Sequence, residues 1–315
     1  MKYMKKLSSK LLLALGVMIL SVIVWQVIVS KQVIGDMGKI KRASIDQLLK
    51  NKELKTYHAI PCASFSKIKL NGSSCVIIKG DEYGVYMSDY CKRYVEIATN
   101  GNELHINSLS GVIAYRKTPV FIFMPEDPQS VYYTNSDGDV TRALLRIVGF
   151  KGDNTLLSCE GGRVDIETDM LYVTVNQKDN TMYLTTFGSD TIAGDAGIQV
   201  KINAENSKLD LDHQALSHIN ADIQLRESAI RSLTFDSASK VGTLSLSGSL
   251  CKIDYYYYDK DRNRMYINYP GQCDSLIIRL TNNTEDVQQL FLSKDLSAGF
   301  EDIDCSDNII VGRRE

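Results

Sequence analysis

A chain of 315 residues that is 44% hydrophobic and 23% charged can bury one large core or two smaller ones, and is too apolar to stay disordered. Lys and Arg number 36 against 38 Asp and Glu, for a net charge of −2, and no basic stripe is interleaved with aromatics. Nucleic acid is therefore excluded as the main partner. Seven cysteines (Cys62, Cys75, Cys91, Cys159, Cys251, Cys273 and Cys305) form no CxxC and no zinc-type cluster with histidine. Some would pair in an oxidising compartment, but the scatter fits small buried hydrophobes better.

Residues 1–10 carry four lysines and read as a cytoplasmic N-terminus. Residues 11–29, LLLALGVMILSVIVWQVIV, hold no charge. Nineteen residues at a helical rise span a hydrocarbon core of about 30 Å. Leu11, Leu12, Leu13, Val17, Ile19 and Leu20 would supply the first half of the lipid-facing surface. Val22, Ile23, Val24, Trp25, Val27, Ile28 and Val29 would supply the second. The rival is a cleaved signal peptide; the run is longer than the usual apolar core of one, and no small-x-small cleavage site follows. Basic residues flank both sides, so charge alone leaves the orientation nearly balanced. The expectation is a single-pass inner-membrane protein with its following domain periplasmic or extracellular. Residues 30–60 form a juxtamembrane spacer, with Ser44 and Gln47 as the capping box of a short helix through Leu54.

From residue 61 the pattern turns to strands. Phe65–Leu70 alternates, Asn71-Gly72 signals a turn, and Cys75–Lys79 reads as the return strand. Tyr83–Met87, Tyr94–Ala98, Glu103–Asn107 and Val120–Met124 follow, with Asn100-Gly101 turning the middle pair. Further strands are expected at 144–148, 162–166, 171–175, 182–185, 198–202, 265–269 and 275–280. Between Ser207 and Tyr258 one phrase repeats, an apolar pair two residues apart: Leu209/Leu211, Ile223/Leu225, Leu233/Phe235, Leu244/Leu246 and Ile253/Tyr255. Such alternation puts one side of a strand in a core and the other in water. Taking every second pair, 209 to 233, 223 to 244 and 233 to 253 are 24, 21 and 20 residues apart. A period near twenty is one coil of a β-solenoid. An all-β solenoid over 61–282, behind an N-terminal transmembrane helix, is the expected fold. Residues 283–315 lose the rhythm and are expected to cap the open end or trail.

The runs FSKIKLNGSSCVIIKGDEYGVYM, NELHINSL and VFIFMPEDPQSVYYTNSDGDV resemble the DUF2807 family, also called auto-transporter adhesin head GIN domains, common in Bacteroidetes. Phe65, Gly72, Gly80-Asp81, Leu104/Ile106, Val120-x-Ile122-x-Met124-Pro125 and Asn135–Val140 carry the resemblance. It implies a right-handed β-helical domain, exported and attached to the envelope, and supplies no catalytic motif.

No motif reaches a chemistry. Asn135-Ser-Asp137-Gly-Asp139 lacks the glycine and glutamate of a calcium loop. The histidines, His58, His105, His213 and His218, have no metal-ligand spacing. Asp210, Asp212, Asp222, Glu227, Asp236 and Asp254 would be candidate hydrolytic carboxylates if they stacked along one outer face. Tyr255, Tyr256, Tyr257 and Tyr258 are the most unusual run; alternation exposes one pair, a surface for a sugar or a protein partner, while the plainer reading is aromatics shielding a strand edge. The expected role is a membrane-anchored, adhesin-like envelope module binding glycan or protein, without cofactor or metal. The alternatives are a carbohydrate-active β-helix enzyme and an envelope scaffolding or signalling protein.

Overall fold

The computed structural model describes residues 57–314 apart from 90, 110–118, 136–141, 188–196, 215–216 and 252–262. The expected anchor at 11–29, the spacer helix at 44–54 and Tyr255–Tyr258 lie outside the described residues. Among the described residues no helix is long and apolar enough to cross a membrane. They are nearly all strand. In order come β1 (Tyr57–Ile60), β2 (Lys67–Asn71), β3 (Cys75–Lys79), β4 (Gly84–Ser88), β5 (Val95–Asn100), β6 (Glu103–Ser108) and β7 (Val120–Met124). Then follow β8 (Ser130–Thr134), β9 (Arg142–Val148), β10 (Leu156–Glu160), β11 (Arg163–Thr168), β12 (Tyr172–Lys178), β13 (Thr181–Thr186), β14 (Ile198–Glu205) and β15 (Lys208–His213). The last are β16 (His218–Phe235), β17 (Lys240–Leu250), β18 (Arg264–Asn268), β19 (Gln272–Asn282), β20 (Gln288–Ser293), β21 (Ser297–Cys305) and β22 (Ile309–Arg314).

From β8 onward the strands form two parallel ladders, here A and B, each strand pairing with the one two places away apart from the long β16, which joins both ladders. Before that, β2 lies between β6 and β8 on ladder B and β3 between β7 and β9 on ladder A. Ladder B holds the even strands from β6 to β14, the first half of β16, then β17, β19 and β21; ladder A holds the odd strands from β7 to β15, the second half of β16, then β18, β20 and β22. Through β16 the two ladders form one continuous sheet. From β8 onward, offsets between paired residues run from 18 (Val164 to Met182) to 34 (Leu233 to Ile267), so the repeat is looser than twenty.

Alternating side chains face a single core, and paired inward residues stack in columns. One runs Leu184, Leu211, Leu233, Ile267, Leu292 on ladder A, each 2% exposed or less. Each such leucine contributes roughly 1.5–3 kcal/mol by leaving water. Corners between ladders need a left-handed residue: Gly161, Asp179, Asn206 and Glu227 have φ of 69°, 48°, 45° and 48°. Asp and Asn tolerate this conformation, which is why they recur in the gaps. The hydrogen bonding turns the corner too, with Gly161 N donating to Lys178 O, Asp179 N to Glu205 O and Asn206 N to Arg226 O.

Several expectations change. Asn71-Gly72 does not close a hairpin: β2 pairs with β6 and β8 on ladder B, while β3 pairs with β7 and β9 on ladder A. Gly72, at φ 63°, turns a corner instead. Asn100-Gly101 does turn an antiparallel hairpin, β5 on β6. Ile223/Leu225 and Leu233/Phe235 belong to one strand that rounds the corner at Glu227. Leu233 pairs with Ile267 on β18, while the expected pair Ile253/Tyr255 lies outside the described residues. The ladders also run on past 282, through β20, β21 and β22 to Arg314.

The two ends are closed differently. At the first, the chain reverses: β4 lies antiparallel on β7, β1 on β4, and β5 on β6, with Val85, Met87 and Cys91 buried beneath. At the last, the inward column Val173, Val200, Ala221, Leu244, Leu276 ends in Glu301. The leucine column of ladder A ends in Arg313. These two charges pair at 3.2 Å across the end of the core. Inward-pointing charge on a terminal strand blunts edge-to-edge association.

Candidate functional site

Outward side chains on ladder B also stack in columns. One runs Lys69, Tyr132, Ser158, Asn176, Asn203, Gln224 from β2 to β16. The next column toward the corner runs Glu160, Lys178, Glu205, Arg226. Between them lies a groove of about 460 Å³. Asn203 Nδ2 donates to Asn176 Oδ1 at 2.9 Å, which fixes both amides. The Tyr132 hydroxyl donates to Glu160, and this bond pushes its pKa up from the ordinary value, keeping it a donor. Lys69, on one neighbouring strand, has Nζ 5.6 Å from the centroid of the Tyr132 ring; on the other neighbouring strand the paired residue is Ser158. The wall charges alternate in sign, and Arg226 lies 3.7 Å from Glu205.

Ladder A carries a groove of similar size, about 410 Å³, with different chemistry. Its outward column runs Asp165, Tyr183, Asp210, Ser232. Arg142 pairs with Asp165 and lies 3.9 Å from the Tyr183 ring centroid. Arg231 pairs with Asp210 at 3.0 Å and lies 5.3 Å from the same ring. The ladder register slips between Leu209 and Asp210, and Asp210 pins that bulge by accepting from Ser232 N at 3.0 Å and Ser232 Oγ at 3.1 Å. Burial raises the Asp210 pKa, against the lowering by Arg231 and Ser232.

The carboxylates expected to line one face do not. Asp210 and Asp212 project from ladder A and Asp222 from ladder B, Glu227 turns a corner, and Asp236 follows the end of β16; Asp254 is outside the described residues. The period-two alternation was sound, but two ladders split the chain between two faces. Of the loop Asn135–Asp139 only Asn135 is described, packed against Gly162. His58 and His105 lie beside Asp89 and Glu103. His213 is fully buried, with Nδ1 2.8 Å from Thr186 Oγ1, and burial lowers its pKa. Among the described residues no three His, Cys, Asp or Glu side chains converge as a metal site. No disulfide joins the cysteines; Cys159 is buried, and burial pushes its thiol up to about 12. Near the tyrosine run, Tyr269 is buried with its hydroxyl donating to Ser239 O, and Tyr266 stacks on Phe291 at 5.7 Å.

Sequence reasoning missed the amide column. Asn176 and Asn203 are 27 residues apart, and only the register brings them together.

No family model matches the chain, and no curated protein matches it. Solved structures do. One from Parabacteroides merdae, described provisionally as an adhesin, covers 82% of this chain and 95% of its own at 9% identity and a TM-score of 0.41. Another from Bacteroides fragilis, with the same provisional description, covers 82% and 96% at 9% identity and a TM-score of 0.29. Likeness at that level carries no argument for this chain.

Proposed function

We propose that this chain is a non-catalytic recognition module of the cell envelope, anchored by residues 11–29 and exported as a right-handed β-solenoid of the DUF2807 type. The alternation of parallel strands between two ladders supports the solenoid, and crossovers between parallel strands are almost always right-handed. The ladder B groove is its binding face. The observation that carries this reading is the Ser158, Asn176, Asn203, Gln224 column: outward hydrogen-bonding groups in register along the groove, with one amide pair held in place by its own bond. Catalysis is disfavoured by the ladder A carboxylates, since Asp165 and Asp210 are already held by arginines.

The full-length chain in lipid nanodiscs tests this against envelope material separated into polysaccharide and protein fractions. Retention of either fraction, lost in Asn203→Lys and without newly formed chain ends, is the expected result. New chain ends would make the protein an enzyme and overturn the reading. So would retention that Asn203→Lys leaves unchanged, or no retention at all.

A further inference from the structure

We infer that the ladder B groove takes a neutral, unbranched oligosaccharide chain lying along the stack of strands, with one sugar ring on Tyr132; this rests on the recognition reading above. Neighbouring strands in a ladder lie about 4.8 Å apart, so the groove offers one polar side chain at that interval. An extended polymer of pyranose rings presents hydroxyls at a comparable interval, and each can meet an amide that both donates and accepts. The Asn203–Asn176 bond holds the amides in place before a ligand arrives, leaving the Asn176 nitrogen and the Asn203 oxygen uncommitted among the described residues.

The end of the groove fits a ring. The step down from Tyr132 to Ser158, on the strand away from Lys69, is a notch in the column, and the bond to Glu160 holds the Tyr132 hydroxyl. A sugar's C–H face packs on such an aromatic while its hydroxyls reach the amides.

Charge and backbone exclude the competitors. The wall column holds two carboxylates and two cations in alternation, so it gives no net field to draw a polyuronate or a sulfated chain. An extended peptide gains affinity by adding to a strand edge. Here β10, β12 and β14 are each paired on both sides, so the face offers side chains only.

The test is calorimetric titration of the full-length chain in nanodiscs with linear hexasaccharides: β-1,4- and β-1,3-glucan, α-1,4-glucan, β-1,4-N-acetylglucosamine and a hexauronate. At least one neutral hexamer should bind, with affinity changing less than about two-fold between roughly 50 and 500 mM salt. Tyr132→Ala and Asn203→Ala should each weaken it about ten-fold, and Ser158→Tyr, which fills the notch, should abolish it. Tyr183→Ala on the other ladder should leave it unchanged. Preference for the hexauronate, with affinity falling as salt rises, would overturn the neutral class while leaving the recognition reading intact. The neutral class also falls, and recognition stands, if no hexamer binds while envelope fractions are still retained. Neutral binding indifferent to all three groove variants overturns both.

Discussion

The outer faces of the two ladders carry grooves of nearly equal size, about 460 and 410 Å³, and put them to different ends. On ladder A Asp165 and Asp210 each have an arginine, and Tyr183 lies against both guanidiniums. Those groups satisfy one another and pin a register slip. On ladder B the stretch Ser158, Asn176, Asn203, Gln224 is neutral, and among the described residues one amide pair is its internal side-chain bond. A face whose polar groups are mutually satisfied holds the fold; a face whose polar groups are fixed but open can bind.

The largest effect should come from breaking ladder A. Asp210→Ala removes the ion pair to Arg231 and the acceptor of both Ser232 bonds at the bulge, which costs about 2 kcal/mol. Denaturant unfolding should show that loss with no change in ligand affinity. Because burial dominates the Asp210 pKa shift, replacing Asp210 and Arg231 together by leucine should cost less than half as much.

Acid should act next, through His213. Its folded pKa is depressed by burial, so the unfolded chain takes the proton first. Stability is then complete above the unfolded value of about 6.5 and falls as the pH drops below it. Asp210 acts in the opposite sense at lower pH, since a raised folded pKa favours the folded state as the carboxyl protonates. Thermal unfolding from neutral to mildly acidic pH should show a falling midpoint in the native chain and a flatter curve in His213→Gln.

The two ends extend the contrast with a smaller energetic effect. The Glu301–Arg313 pair is partly exposed, so its loss should barely alter stability. Glu301→Leu with Arg313→Leu would instead continue two apolar columns to an open edge. Sedimentation should then show end-to-end association absent from the native chain, whereas a monomer would contradict the capping role.

Much of the strand pattern was legible because inward columns require apolar residues two apart: Cys75–Lys79 and Val120–Met124 match strand bounds read from sequence. The missed β10 carries the same signal in Leu157 and Cys159, weakened by the polar and glycine-rich neighbours that form its corner. The closing of the first end was not legible, since β4 pairs with β7 across a long stretch of sequence. Nor was the ladder B groove. Asn176, Asn203 and Gln224 read as ordinary solvent-facing positions until parallel register stacked them. Asp210 was singled out for chemistry, and its role is to pin a bulge that no sequence period announces.

The most direct measurement pairs Asn203→Ala with Asp210→Ala in the full-length chain, following neutral oligosaccharide binding by calorimetry and stability by denaturant. The account predicts a clean separation: Asn203→Ala loses about ten-fold in affinity at unchanged stability, and Asp210→Ala loses stability at unchanged affinity. If Asn203→Ala binds like the native chain, or Asp210→Ala loses affinity while still folded, the division of labour between the two faces is contradicted.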